Sequence, residues 1–103
     1  MGLIGKHNID SASAGTLFVV YPVAKDCTYI RDELGFEAIR NTTHHQYFIL
    51  TYDEVSRIKK SFTNPSTMIY EITNTSLDRK TLEDTIRNST KGEILAKIKT
   101  EWK

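Results

Sequence analysis

Residues 46–62, QYFILTYDEVSRIKKSF, change from a strand pattern to a helix pattern at a single threonine. The segment QYFIL is rich in aromatic and β-branched side chains, which favour strands. Thr51 and Glu54 then have the spacing of a capping box, in which each side chain bonds a backbone amide of the first helical turn. Apolar residues recur on one face beyond it, at Val55, Ile58 and Phe62. The sequence therefore predicts a strand that leads directly into an amphipathic helix.

A second strand and helix are predicted upstream of this segment. Residues 16–23, TLFVVYPV, form an almost continuous apolar run, which is typical of a central strand buried on both faces. Asp26 is the predicted N-cap of the helix that follows, and Gly35 suits the left-handed position at its end. The apolar face of this helix is predicted to contain Cys27, Ile30 and Leu34.

Two further segments have strand character. Residues 36–40, FEAIR, are predicted to form a hairpin with residues 46–50 across a polar turn at 41–45. Residues 66–73, STMIYEIT, alternate between apolar and polar positions, which predicts a strand. Its apolar side is predicted to consist of Met68, Tyr70 and Ile72.

The resulting order, β-α-β-β-α-β followed by two helices, predicts an α+β fold of the ferredoxin-like, split βαβ kind. This fold has a four-stranded antiparallel sheet with two helices on one face. Residues 16–73 would form this core and residues 74–103 a helical extension of the same domain, after a flexible arm at residues 1–15. The C-terminal helices would either cover the other face or extend sideways. Without a strand at 36–40, the alternative is a three-stranded βαβαβ sheet.

Composition narrows the class of protein. The chain has 103 residues and a net charge of +1, and no apolar run approaches the roughly 20 residues of a membrane-spanning helix. A single cysteine and no recognisable signal peptide lead us to expect a cytoplasmic protein that does not bind membranes. Residues 57–103 hold ten basic and six acidic side chains, so this half is mildly basic.

Candidate catalytic and metal-binding residues are few. His44 and His45 are adjacent, so on a strand they would point to opposite faces, and two exposed turn histidines are the simpler interpretation. Cys27 falls on an apolar helix face, where a cysteine usually behaves as a small buried hydrophobe. We therefore expect no metal site, no cofactor and no enzymatic activity.

One hypothesis for function is binding of single-stranded RNA. The segments TLFVVYP and HHQYFILTYDEVSRIKKSF distantly resemble the RNA-recognition motif family, which places base-stacking aromatic residues on its first and third strands. The basic-Gly-aromatic start of that family's third strand is missing here, and an alternative role for the aromatic residues is core packing. By position, the resemblance implies stacking residues at Phe18 on the first strand and at Tyr47 or Phe48, with His45, on the third. The RNA-binding hypothesis adds the basic residues Arg40, Arg57, Lys59 and Lys60.

The leading hypothesis is a small non-catalytic interaction protein that binds or inhibits a macromolecular partner, most simply a protein. Size and the lack of catalytic groups suggest this class, which includes virus-encoded regulators of host systems. The last predicted helix offers an apolar stripe consisting of Ile94, Leu95, Ile98 and Trp102. This stripe would contact a partner or a second copy of the chain in a homodimer. Alternatively, Trp102 folds back on the domain's own sheet.

Overall fold

The computed structural model describes residues 2–4 (backbone only), 16–62, 66–73 and 77–102. Strands and helices follow one another along these segments. The strands are β1 (Gly2–Ile4), β2 (Leu17–Tyr21), β3 (Ile39–Arg40), β4 (Gln46–Thr51) and β5 (Met68–Ile72). The helices are α1 (Ala24–Leu34), α2 (Tyr52–Ile58), α3 (Arg79–Arg87) and α4 (Lys91–Thr100), and a 3-10 turn at Lys59–Ser61 continues α2. Apart from the backbone of β1, the predicted flexible arm at 1–15 lies outside the described residues.

Strands β2 to β5 form a four-stranded antiparallel sheet in the order β5-β2-β4-β3. Strand β1 pairs antiparallel with the outer edge of β5. The predicted α+β class with a four-stranded antiparallel sheet is thus confirmed. The strand predicted at 36–40 is correct only for its last two residues, which pair with Gln46 and Tyr47 as the hairpin required.

Helices cover both faces of the sheet, because the middle residues of β2 and β4 are apolar on both sides. Helices α1 and α2 enclose one core, consisting of Phe18, Val20, Cys27, Ile30, Phe48, Leu50, Val55, Ile58, Phe62 and Ile69. Helices α3 and α4 enclose the other, consisting of Val19, Ile39, Tyr47, Ile49, Ile72, Leu82, Ile86, Ile94, Ile98 and Trp102. Of the two arrangements that the sequence left open, the C-terminal helices adopt the one that covers the second face. Each large apolar side chain buried in this way contributes about 1.5–3 kcal/mol.

The start of α1 differs from the prediction. The helix begins at Ala24 after Val23, so Asp26 lies within the first turn and is not the N-cap. Asp26 is buried, and its carboxylate accepts a hydrogen bond from the hydroxyl of Thr67, which itself accepts one from the Val23 N–H at 3.2 Å. These bonds join the start of α1 to the residue before β5. Asp26 therefore makes a tertiary contact that the local sequence does not indicate.

Three helix ends follow local sequence signals. At Thr51 the predicted capping box is confirmed: its N–H donates to Glu54 Oε1 at 2.9 Å, and its Oγ1 accepts from the Glu54 N–H at 3.3 Å. Thr90 and Glu93 form a second capping box at the start of α4. Gly35 ends α1 with φ of 87°, as predicted. Within the described residues, no helix is long and apolar enough to cross a membrane.

Replacing Trp102 with Ala should destabilise the domain by about 3–5 kcal/mol, because this side chain is 3% exposed within the second core. Urea denaturation measures the change. Lys99→Ala, near the end of α4 and just before Trp102 in the chain, is the control, because an exposed side chain should change stability by no more than about 0.5 kcal/mol. Equal stability of the two variants would contradict the placement of Trp102 in the core.

Candidate functional site

An apolar groove lies between α4 and the second face of the sheet, at the end where β2 stops and β4 and β5 begin. Its volume is about 220 Å³. We call it the tyrosine groove. Its lining consists of Tyr21, Tyr47, Met68, Tyr70, Lys91, Ile94, Leu95 and Ile98. The antiparallel register explains this gathering, since Tyr21 at the end of β2 pairs with Met68 at the start of β5.

The Tyr21 ring is held by three neighbours. The Tyr47 ring stacks against it, with centroids 4.8 Å apart and planes 18° from parallel. The Lys91 ammonium lies 5.0 Å from the Tyr21 centroid, in a cation–π contact. The hydroxyl of Tyr21 is 3.0 Å from Nδ1 of His45, within hydrogen-bond distance. Tyr21 is therefore a fixed part of the groove wall and not a free stacking platform.

The turn at residues 41–45 positions both this wall and the start of α4. Oδ1 of Asn41 accepts hydrogen bonds from the N–H groups of Thr43 at 3.2 Å and His45 at 2.8 Å, and His44 takes a positive φ of 64°. The turn also meets the helix, because the N–H of Lys91 donates to Thr43 Oγ1 at 3.1 Å. Hydrogen bonds within the turn, and from the turn to α4, thus fix the positions of His45 and Lys91 relative to Tyr21.

The described residues that line the groove include a cation and no anion. Burial, followed by the neighbouring Tyr21, raises the pKa of Tyr47, and burial likewise raises the pKa of Tyr70 although Lys91 opposes it. Both phenols are therefore neutral at physiological pH. Among the described lining residues Lys91 is cationic and none is a carboxylate.

Most of the predicted partner-binding stripe is part of the fold. Ile94, Ile98 and Trp102 are between 1% and 3% exposed and pack against the sheet. The backbone carbonyl of Trp102 also accepts a hydrogen bond from the N–H of Thr73 at 2.8 Å. Leu95 is half-buried and faces the groove together with the edges of Ile94 and Ile98. Of the four predicted residues, Leu95 offers the most accessible surface.

The predicted RNA-binding residues do not form one surface. Phe18 is fully buried in the core under α1 and α2, whereas Tyr47 is 3% exposed in the core on the opposite face. The basic residues are divided between elements: Arg40 belongs to the edge strand β3, and the others lie at the end of α2 and in the 3-10 turn, at Arg57, Lys59 and Lys60. Arg57 forms an ion pair with Glu33 at 3.5 Å, and Arg40 donates to the carbonyl of His44 at 2.9 Å.

The structure also shows the surroundings of the candidate nucleophile, Cys27, and of the candidate metal ligands, His44 and His45. Burial raises the pKa of the Cys27 thiol to about 11, with Arg40 acting in the opposite direction. Cys27 borders a second cavity of about 150 Å³ at the edge of the sheet, near Arg31 and Gln46. His44 is exposed and His45 half-buried, and no group of three or more metal-ligating side chains occurs among the described residues.

Sequence reasoning missed four groove residues: Tyr21, Met68, Tyr70 and Lys91. The predicted alternation of β5 did place Met68 and Tyr70 on one side, but nothing local connects that side with Tyr21 or with the start of α4. Comparisons with protein-family models, curated proteins and solved structures gave no match for this chain.

Native Cys27 should react slowly with iodoacetamide at pH 7, because a thiol with a raised pKa holds on the order of a hundredfold less thiolate than an ordinary cysteine. The rate should rise about tenfold per pH unit up to about pH 11, and urea should accelerate it by exposing the thiol. Mass spectrometry of quenched samples measures the rate. Rapid native labelling with an apparent pKa near 8.5 would contradict this environment.

Proposed function

We propose that this chain is a non-catalytic interaction protein that binds a partner protein stoichiometrically, as a binder or inhibitor, through the tyrosine groove. The observation that carries the proposal is the groove itself, an apolar recess framed by three tyrosines and closed on one side by α4. Tyrosine-rich, largely apolar recesses are where binding energy concentrates in protein interfaces. A reduced, buried Cys27 suits action in the cytoplasm.

The size of the groove favours a protein partner over a cofactor or small substrate. Small-molecule pockets usually enclose roughly 300–1,000 Å³, and this groove encloses about 220 Å³. Such a volume suits one or two side chains that project from a larger partner. The remaining affinity would come from the surrounding surface, as in interfaces built on a few anchor residues.

The frame of the groove supports binding without much rearrangement. Its walls are strands and a helix, and their positions depend on the Thr90 capping box and on the bond from Lys91 to Thr43. A preorganised site loses less conformational entropy on association than a loop does. We assign this frame to the ferredoxin-like class, an assignment supported by the order β5-β2-β4-β3 and by helices α1 and α2 in the two crossovers.

Leu95→Asp should weaken partner binding at least about tenfold, because it places a carboxylate in the apolar lining. Ala96→Asp is the matched control, since Ala96 is the next residue of α4, is exposed and does not line the groove. The partner would be captured from the native host with the intact chain, purified and titrated calorimetrically against the wild type and both variants.

One-to-one binding that Leu95→Asp alone weakens would support the proposal, provided that both variants unfold cooperatively in urea. Equal binding by the two variants would overturn the groove as the site. Capture of RNA, with salt-sensitive binding of short RNAs that neither variant changes, would favour the RNA hypothesis. Self-association in sedimentation that Leu95→Asp abolishes would identify a second copy as the occupant.

A further inference from the structure

The described lining of the tyrosine groove has a positive charge and no negative one, and this bears on which chemical groups a partner would place there. Lys91 is an exposed cation at the rim, with its ammonium over the Tyr21 ring, and none of the described lining residues is a carboxylate. Lys91 is also the first residue of α4, whose N-terminus is capped by Thr90 and by the Glu93 carboxylate. The positive charge at the groove is therefore that of the Lys91 side chain and not of the helix end. Among the described lining residues, Lys91 is thus the one charged side chain, and it lies at the rim while the other lining side chains are uncharged.

The side chains that line the groove favour an acidic peptide over a nucleotide as the anionic ligand. A nucleotide would need an exposed aromatic face for its base, but the Tyr21 ring already contacts Tyr47 and Lys91. The floor at Met68, Leu95 and Ile98 offers aliphatic surface, which suits a leucine, methionine or phenylalanine side chain. An acidic peptide thus fits both parts of the site better than a nucleic acid does.

We propose that the tyrosine groove recognises a partner segment in which an apolar side chain is flanked by a carboxylate. The apolar side chain fills the recess beside Leu95, and the carboxylate pairs with the Lys91 ammonium. This inference rests on the proposed function and adds the chemistry of the partner. The phenols of Tyr47 and Tyr70 are neutral at physiological pH, as phenols ordinarily are, so they put no negative charge beside that carboxylate.

A charge exchange at Lys91 tests the inference. A phage-displayed library of random peptides would be selected against the intact wild-type chain, Lys91→Glu and Lys99→Glu. The last variant makes the same charge change at an exposed α4 residue outside the groove lining. We expect apolar residues flanked by Asp or Glu from the wild type and from Lys99→Glu, and Lys or Arg in place of the acids from Lys91→Glu.

Synthetic forms of the selected peptides give the magnitude. Changing the flanking Glu to Gln should weaken binding to the wild-type chain about two- to fivefold, as expected for a solvent-exposed ion pair, and should leave binding to Lys91→Glu unchanged or stronger. Raising the salt concentration should reduce the difference between the two peptides on the wild type.

The outcomes separate this inference from the proposed function. Two outcomes would overturn the role of the carboxylate and leave the groove as a protein-binding site. In the first, the selected peptides need Leu95 but show no preference for acidic residues. In the second, Lys91→Glu selects the same acidic residues as the wild type. Peptides whose binding Leu95→Asp does not change, or no selected peptides at all, would overturn both. Selection of sequences that match this chain's own residues would identify an internal or second-copy occupant and overturn the acidic partner.

Discussion

Burial of β2 on both faces is the constraint on which the rest of the structure depends. Phe18, Val19 and Val20 are all fully buried, and they alternate between the two cores. A sheet with one open face would leave Val19 and its neighbours on β4 and β5 in water. The domain therefore requires a helix layer on each side, and α3 and α4 supply the second.

The second layer covers the sheet incompletely, and the tyrosine groove is the part that it leaves open. Helix α4 starts above the end of β2, where the 41–45 turn and the Thr90 capping box fix its first residue. Ile94 and Ile98 then pack onto the sheet, while Leu95 stays at the edge. The groove is thus a consequence of where α4 begins, and its walls are strands and a helix that pack on the second core.

The same packing changes how the functional hypotheses compare. Covering the second face places Tyr47 in a core, so the ring that RNA binding required serves to support Tyr21. The apolar stripe of α4 is used mainly for folding, which moves the proposed partner surface from the helix itself to the gap between helix and sheet. A recess with a lysine at its rim is a more selective surface than an exposed stripe, because binding there depends on both shape and charge.

The sequence by itself determined the features that depend on neighbouring residues. The Thr51 capping box, the left-handed Gly35, the strand character of β2 and the shared face of Met68, Tyr70 and Ile72 were all predicted, because backbone geometry and periodicity are local. Only the tertiary structure decided the role of Asp26, whose partner Thr67 is 41 residues away. It also decided where Trp102 packs, since the sequence pattern of an amphipathic stripe is the same whether the stripe packs on the domain's own sheet or on another chain. The groove belongs to this second group, because Tyr21 and Lys91 meet only when α4 lies on the sheet.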